Sequence, residues 1–280
     1  MPEGILFYVV FLGQILLISF YFPRKMLGQM RYVIKTYPPS TYPKLYPKPI
    51  EFYEKALRNY RLVNQLLLVA GLLLLALLIG YPRSGEWDGP IVFTCFMFQF
   101  LPVMRLDLSS LKHFRLMRKA NSRTTHRAEL QPRRLFDFAS PALFALAALV
   151  YVAFIVLIIY IDQFEFSWFG GYWNIVLMTA INLIFAGVVI WKMYGKKLDP
   201  HQAYEDRIRH IEVTVKTLLL ISIVATLFVA ITIVLASLDL RNFEPIATSL
   251  YLQLIVVLGL RNYRIDNIDF EVYKEAPLAS

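Results

Sequence analysis

Seven apolar runs, separated by polar stretches, organise the 280-residue chain. They cover 4–22, 63–81, 90–104, 141–161, 172–191, 217–238 and 245–260, and none contains Asp, Glu, Lys, Arg or His. Most approach the roughly 20 residues that a helix needs to cross a bilayer. The third and seventh are shorter, at 15 and 16 residues, and are expected to extend by a turn at their ends or to lie partly inserted. The pattern predicts an all-α membrane protein with seven transmembrane helices, built as a single integral membrane domain over 1–280. The polar stretches 23–62, 105–140 and 192–216 read as loops on one side, with 261–280 as a tail on that side.

Charge supports the same division. Of 29 Lys and Arg residues, 27 fall in those three loops and the tail; only Arg83 and Arg241 lie opposite. Short loops rich in Lys and Arg stay on the cytoplasmic side of a membrane. The expected orientation is therefore N-terminus outside and C-terminus cytoplasmic, in the plasma (inner) membrane. The first run is preceded by Glu3 and followed by Arg24 and Lys25, the reverse of a secretory signal, and reads as a retained anchor. Trp87, Trp168, Trp173 and Trp191 fall in outer loops or at span ends, as interfacial aromatics do.

Composition adds little beyond this. The chain is 58% hydrophobic with mean hydropathy +0.52, above the roughly 45–50% of soluble domains. The net charge of +9 is spread beside apolar runs rather than over one basic face, so lipid headgroups are the expected partner and nucleic acid is not. A single cysteine, Cys95, leaves no intrachain disulfide to form.

A short motif recurs before three of the runs: Pro, three residues, an aromatic residue, an acid. It appears as Pro49 to Tyr53-Glu54, Pro132 to Phe136-Asp137 and Pro200 to Tyr204-Glu205. Each copy precedes two runs joined by a weakly charged turn. The second runs also correspond, with Pro90-Ile91 matching Pro245-Ile246 and Arg105 matching Arg261. This suggests a lead helix and three parallel helical hairpins, each opened by an interfacial amphipathic segment. The alternative is a set of generic helix starts, since Pro and acids favour the first turn. Before the first copy, 37–49 holds five prolines in thirteen residues. That stretch is expected to be extended, as a stiff spacer or a docking ligand.

Candidate chemistry is sparse. No span carries a charge, which argues against a proton relay or voltage sensor. No span holds a Lys for a retinal Schiff base, and no nucleophile elbow, zinc-protease, P-loop or dinucleotide motif occurs. No cofactor is expected. Three sets of residues remain. Gln99 and Thr94 in the short third run, with Ser249 and Gln253 in the short seventh, mark a ligand site or helix–helix hydrogen bonding. Lys112, Arg115, Arg118, Lys119, Arg133 and Arg134 form a basic stretch for anionic lipid headgroups or a cytoplasmic protein partner. His201 and Glu205, four apart on an expected helix, with His210 beyond, are the candidate metal ligands. The favoured function is a non-catalytic membrane subunit or scaffold. A small-molecule facilitator with its site between the third and seventh spans is the alternative, and a lipid-modifying enzyme at the inner interface a further one.

Overall fold

The computed structural model describes residues 2–80, 88–120, 134–195, 199–261 and 268–274, and every regular element among them is helical. The elements are α1 (Pro2–Leu16), a π-helical turn (Leu17–Tyr21), α2 (Phe22–Thr36), α3 (Ile50–Gly80), α4 (Asp88–Ala120), α5 (Pro141–Asp162), α6 (Trp173–Tyr194), α7 (Tyr204–Ser237) and α8 (Glu244–Leu260). Seven of the resulting rods are long and apolar enough to cross a membrane. Leu66, Leu73 and Leu77 on α3, Val152 and Val156 on α5, and Leu183 and Ile184 on α6 are exposed. Outward-facing aliphatic surface of that kind is what lipid solvates.

Helix does not stop where the apolar runs stop. α1, the π turn and α2 form one continuous rod through Thr36, so 22–36 is helix rather than loop. The π turn sits just before Pro23, and Phe22 N–H bonds back to Leu17 O. Proline has no N–H and its ring crowds the carbonyl four residues earlier, so a widened turn at that point relieves the clash. The short third run, 90–104, is the interior of the 33-residue α4. The expected segment 50–62 is the unbroken beginning of the 31-residue α3. At 1.5 Å per residue α3 is about 46 Å long, against roughly 30 Å of hydrocarbon. Arg58, Arg61 and their neighbours therefore ride on a projecting helix end.

The three motif copies enter helix differently. Ile50 begins α3 immediately after Pro49, whereas 201–203 are non-helical and α7 begins at Tyr204. In the middle copy, Leu135–Asp137 is a short 3-10 turn in which Asp137 Oδ2 accepts from Arg134 N at 3.1 Å. α5 starts separately, with Ser140 Oγ accepting from Leu143 N at 3.4 Å and Pro141 in the first turn. This is the usual chemistry of a helix N-terminus.

Two groups of helices result. α1 and α2 pack with α3, α4 and α8; α5 and α6 pack on α7; and α7 meets α8. The rod of α1 and α2 runs antiparallel to α3, with Tyr8 Oη of α1 donating to Leu78 O at 3.0 Å near one end and Tyr60 Oη to Met26 Sδ of α2 at 3.6 Å near the other. Between them Gly71 lies under Ile15. A Cβ at Gly71 would stand 3.1 Å from Ile15 Cγ2, so glycine lets the two backbones approach. Phe7, Phe11, Ile15, Ile18, Val92 and Val256 form the core of the first group; Phe154, Ile158, Met178 and Ile233 form that of the second. Arg241 lies over the Trp168 ring at 5.3 Å, which joins the α5–α6 and α7–α8 connections at one end. Tyr42, Met117, Phe270 and Tyr273 cluster at the other, called the basic end below.

Candidate functional site

Three of the four span residues singled out from the sequence converge, and they do so on one the sequence reading passed over. Gln14 of α1 is completely buried, as is Ser249 of α8, and Gln99 of α4 is 2% exposed. Ser249 Oγ donates to Gln14 Oε1 at 2.7 Å. Gln14 Nε2 donates to Gln99 Oε1 at 3.3 Å and, more weakly, to Val92 O at 3.4 Å. Gln253 Nε2 donates to Val10 O at 3.0 Å and to Ser249 Oγ at 3.3 Å. Gln99 and Gln253 thus do not satisfy each other; Gln14 and Ser249 stand between them. Thr94 is exposed on the far side of α4 and takes no part.

This seam is neutral. Amides and a hydroxyl supply donors and acceptors but neither acid nor base, and every link except the Gln253–Ser249 bond within α8 joins two helices. Buried amides in hydrocarbon must find partners, and here they find those of neighbouring helices. In this seam one is left over, Gln99 Nε2, which has no partner among the described residues; Ser19 Oγ and Asn64 Oδ1, elsewhere in the spans, are likewise buried without one. The second group is tied in the same manner. Tyr151 Oη and Thr179 Oγ1 lie 2.5 Å apart between α5 and α6, and Ser222 Oγ donates to Asn182 Oδ1 at 2.7 Å between α7 and α6. Asn174 instead caps its own turn, through Gly171 O at 3.1 Å.

At the basic end α4 presents two different surfaces. Phe114 and Met117 pack into the cluster of Tyr42, Phe270 and Tyr273, while Lys112, Arg115, Arg118 and Lys119 are exposed. Arg134 is also exposed, beyond the end of α4; Arg133 lies outside the described residues. Helical spacing explains the split, because Phe114 and Met117 are three apart and Lys112, Arg115 and Lys119 follow the opposite face.

The proposed metal set is not assembled. Among the described residues no three His, Cys, Asp or Glu side chains gather as a metal would require. The expectation placed His201 and Glu205 on one helix face, but α7 begins only at Tyr204. His201 lies before it, where its backbone N–H donates to Asp199 Oδ1 at 2.8 Å. Glu205 and His210, five residues apart on α7, point about 140° away from each other.

The electrostatics of the basic end centre on tyrosines. Burial, together with the adjacent Asp199 carboxylate, pushes the Tyr273 phenol far up, so it stays protonated and donates to Asp199. Burial and the neighbouring Tyr53 raise Tyr46 to about 12, and Tyr37 is raised by burial. Glu271 is held below the usual carboxylate range by its hydrogen bond to Lys274.

No protein-family model, curated protein or solved structure matches this chain.

Proposed function

We propose that this protein is a non-catalytic membrane subunit or scaffold that presents a basic face to anionic lipid headgroups or to a cytoplasmic protein partner. The observation that carries the reading is how the span polar groups are used. Gln14, Ser249 and Gln253 are engaged in helix–helix hydrogen bonds, while Lys112, Arg115, Arg118 and Lys119 stand exposed at the end of a helix that extends beyond its apolar run. Basic side chains beside an anionic leaflet contribute about 1 kcal/mol each. The orientation follows the distribution of Lys and Arg: N-terminus outside, C-terminus and basic end cytoplasmic, in the plasma membrane. The arrangement as a lead helix with three hairpins (α3–α4, α5–α6, α7–α8) belongs to the same reading.

The test is native mass spectrometry of the whole protein released from mild detergent. Retention of anionic over zwitterionic lipid, or of a second protein at fixed stoichiometry, supports the scaffold. The variant Lys112→Gln/Arg115→Gln/Lys119→Gln should lose most of that retention. Equal retention by variant and parent refutes the assignment of the basic face.

A second reading, the small-molecule facilitator, draws on one observation: Gln99 Nε2 is a buried donor with no partner among the described residues. On that reading a small polar molecule is retained by the parent and lost from Gln99→Leu. If Gln99→Leu retains everything the parent retains, the facilitator reading fails.

A further inference from the structure

Residues 268–274 return to the basic end and touch both helix groups at once. On the side of the first group, Phe270 stacks on Tyr37 with ring centroids 3.9 Å apart and planes at 20°. It also shares the buried cluster of Tyr42 and Met117. Tyr42 Oη donates to Glu271 Oε1 at 3.3 Å, and Lys44 Nζ donates to the Lys274 carbonyl. On the side of the second group, Tyr273 Oη donates to the buried carboxylate of Asp199, and Asp269 N–H donates to Asp206 Oδ2 at 2.9 Å. Asp199 lies in the approach to α7, and Asp206 in its first turn.

Away from this segment, the main junction between the groups is the packing of α7 on α8. α8 packs on α7 as well as on α1 and α4, and α4 makes no comparable packing with α6 or α7 among the described residues. At the basic end this segment joins the groups, beside the electrostatic pair of Asp107 on α4 and Lys192 on α6. The segment buries only two large side chains, Phe270 and Tyr273, and forms a single 3-10 turn. A piece of chain held so lightly leaves its seat without any helix unfolding.

We infer that residues 268–274 are a latch: docked, they hold the two helix groups together at the basic end, and undocked, they let α4 part from α6 and α7. The inference stands apart from the scaffold assignment, since it concerns how the groups are joined and not what the basic face binds.

The experiment uses the full chain in lipid bilayers, in a Cys95→Ala background, with pairs of spin labels and pulsed dipolar distance measurement. One pair, Ser109→Cys on α4 and Glu205→Cys on α7, reports on the basic end. The other, Gly4→Cys on α1 and Leu238→Cys after α7, reports on the opposite end. With Phe270→Ala/Tyr273→Ala, the basic-end pair should gain a longer component, its population rising about tenfold or more, while the opposite pair keeps its distribution. An unchanged basic-end distribution overturns the latch. If both pairs broaden because the double variant fails to fold, Tyr273→Phe decides. It keeps the ring and deletes only the bond to Asp199: a smaller gain in the long component supports the latch, and no gain overturns it.

Discussion

Gln14→Leu removes the residue on which the first helix group converges, at nearly constant volume. Its worth follows from the bonds it makes. The 2.7 Å bond from Ser249 is strong in geometry, whereas the two bonds donated by Gln14 Nε2, at 3.3 and 3.4 Å, are long. Hydrogen bonds between membrane helices average about 0.6 kcal/mol and reach about 1.7. To this is added the cost of stranding buried partners, about 1–3 kcal/mol for a donor with nothing to accept from it. Ser249 Oγ–H is stranded by the change, and so is Gln99 Oε1. Leucine recovers part of the loss through apolar contact with Phe11, Ile15 and Ile18, so the net destabilisation expected is about 2 kcal/mol. The assay is reversible unfolding in mixed micelles as the denaturing detergent fraction rises, followed by helical circular dichroism. Ser249→Ala alone should cost less, because it strands one acceptor and leaves Gln14 its other contacts. The double variant should cost clearly less than the two single costs together, by about 1 kcal/mol, because neither partner is then left unpaired. Strict additivity, or a Gln14→Leu protein as stable as the parent, would refute the claim that this seam holds the first group together.

The tyrosines of the basic end make stability depend on pH in the alkaline range. Tyr46 gives up its proton near pH 10 in an unfolded chain and only near 12 in the fold. Between those values the unfolded state binds fewer protons, so stability is full below about pH 10 and falls as pH rises toward 12. Tyr37 and Tyr273 shift in the same direction. Thermal unfolding across that window should show the fall, and Tyr46→Phe, which removes the titrating hydroxyl, should make it shallower; an identical slope in the variant counts against the assignment. Gly71→Ala places a methyl 3.1 Å from Ile15 Cγ2 and should cost about 1–3 kcal/mol by overpacking. Combining it with Ile15→Ala, which clears the contact, should be less damaging than the two separate losses imply, as read by the same detergent unfolding.

The positions of the spans were legible because hydrocarbon demands long uncharged runs, and each of the seven rods covers the run read for it to within one residue. Their lengths were not. In 22–36 and 105–120 the side chains are charged and polar, and polarity reads as loop. Yet Arg, Lys, Met, Leu and Gln all favour helix, and Phe22, Met26 and Leu27 of α2, all buried, have the spacing of one helix face. That periodicity was the available signal. In the site, Gln99, Ser249 and Gln253 were found because amides and hydroxyls stand out in short spans. Gln14 was equally visible, as the one amide of 4–22, but attention to the short spans passed over it. The docking of Phe270 and Tyr273 had no local signal at all, since it depends on which distant loops the bundle brings together. The candidate metal set failed for a local reason: a helix start displaced by three residues removes the face on which His201 and Glu205 were to meet.

In lipid the hydrophobic effect does not hold one apolar helix to another, so polar bonds and close packing decide which contacts persist. The two groups are each tied internally by buried hydrogen bonds, whereas α7 and α8, which pack extensively, meet through apolar contact. The first has its seam of Gln14, Gln99, Ser249 and Gln253; the second has Tyr151 to Thr179 and Ser222 to Asn182. Between α7 and α8 the prominent contact is a ring stack, Phe228 on Tyr251, with centroids 4.1 Å apart and planes at 6°. Where α7 meets α8, motion between the groups therefore disrupts apolar packing, and motion within a group disrupts buried hydrogen bonds. Phe228→Ala should leave each group's detergent stability within about 1 kcal/mol of the parent, since it forfeits one aromatic pair and partly exposed area. It should nevertheless broaden the distance between labels on Ser109→Cys and Glu205→Cys. Gln14→Leu should do the reverse, lowering stability while leaving that distance as it was in the folded fraction. If Phe228→Ala instead unfolds the protein as readily as Gln14→Leu, the two groups are one cooperative unit, and the division drawn from their hydrogen bonds is wrong.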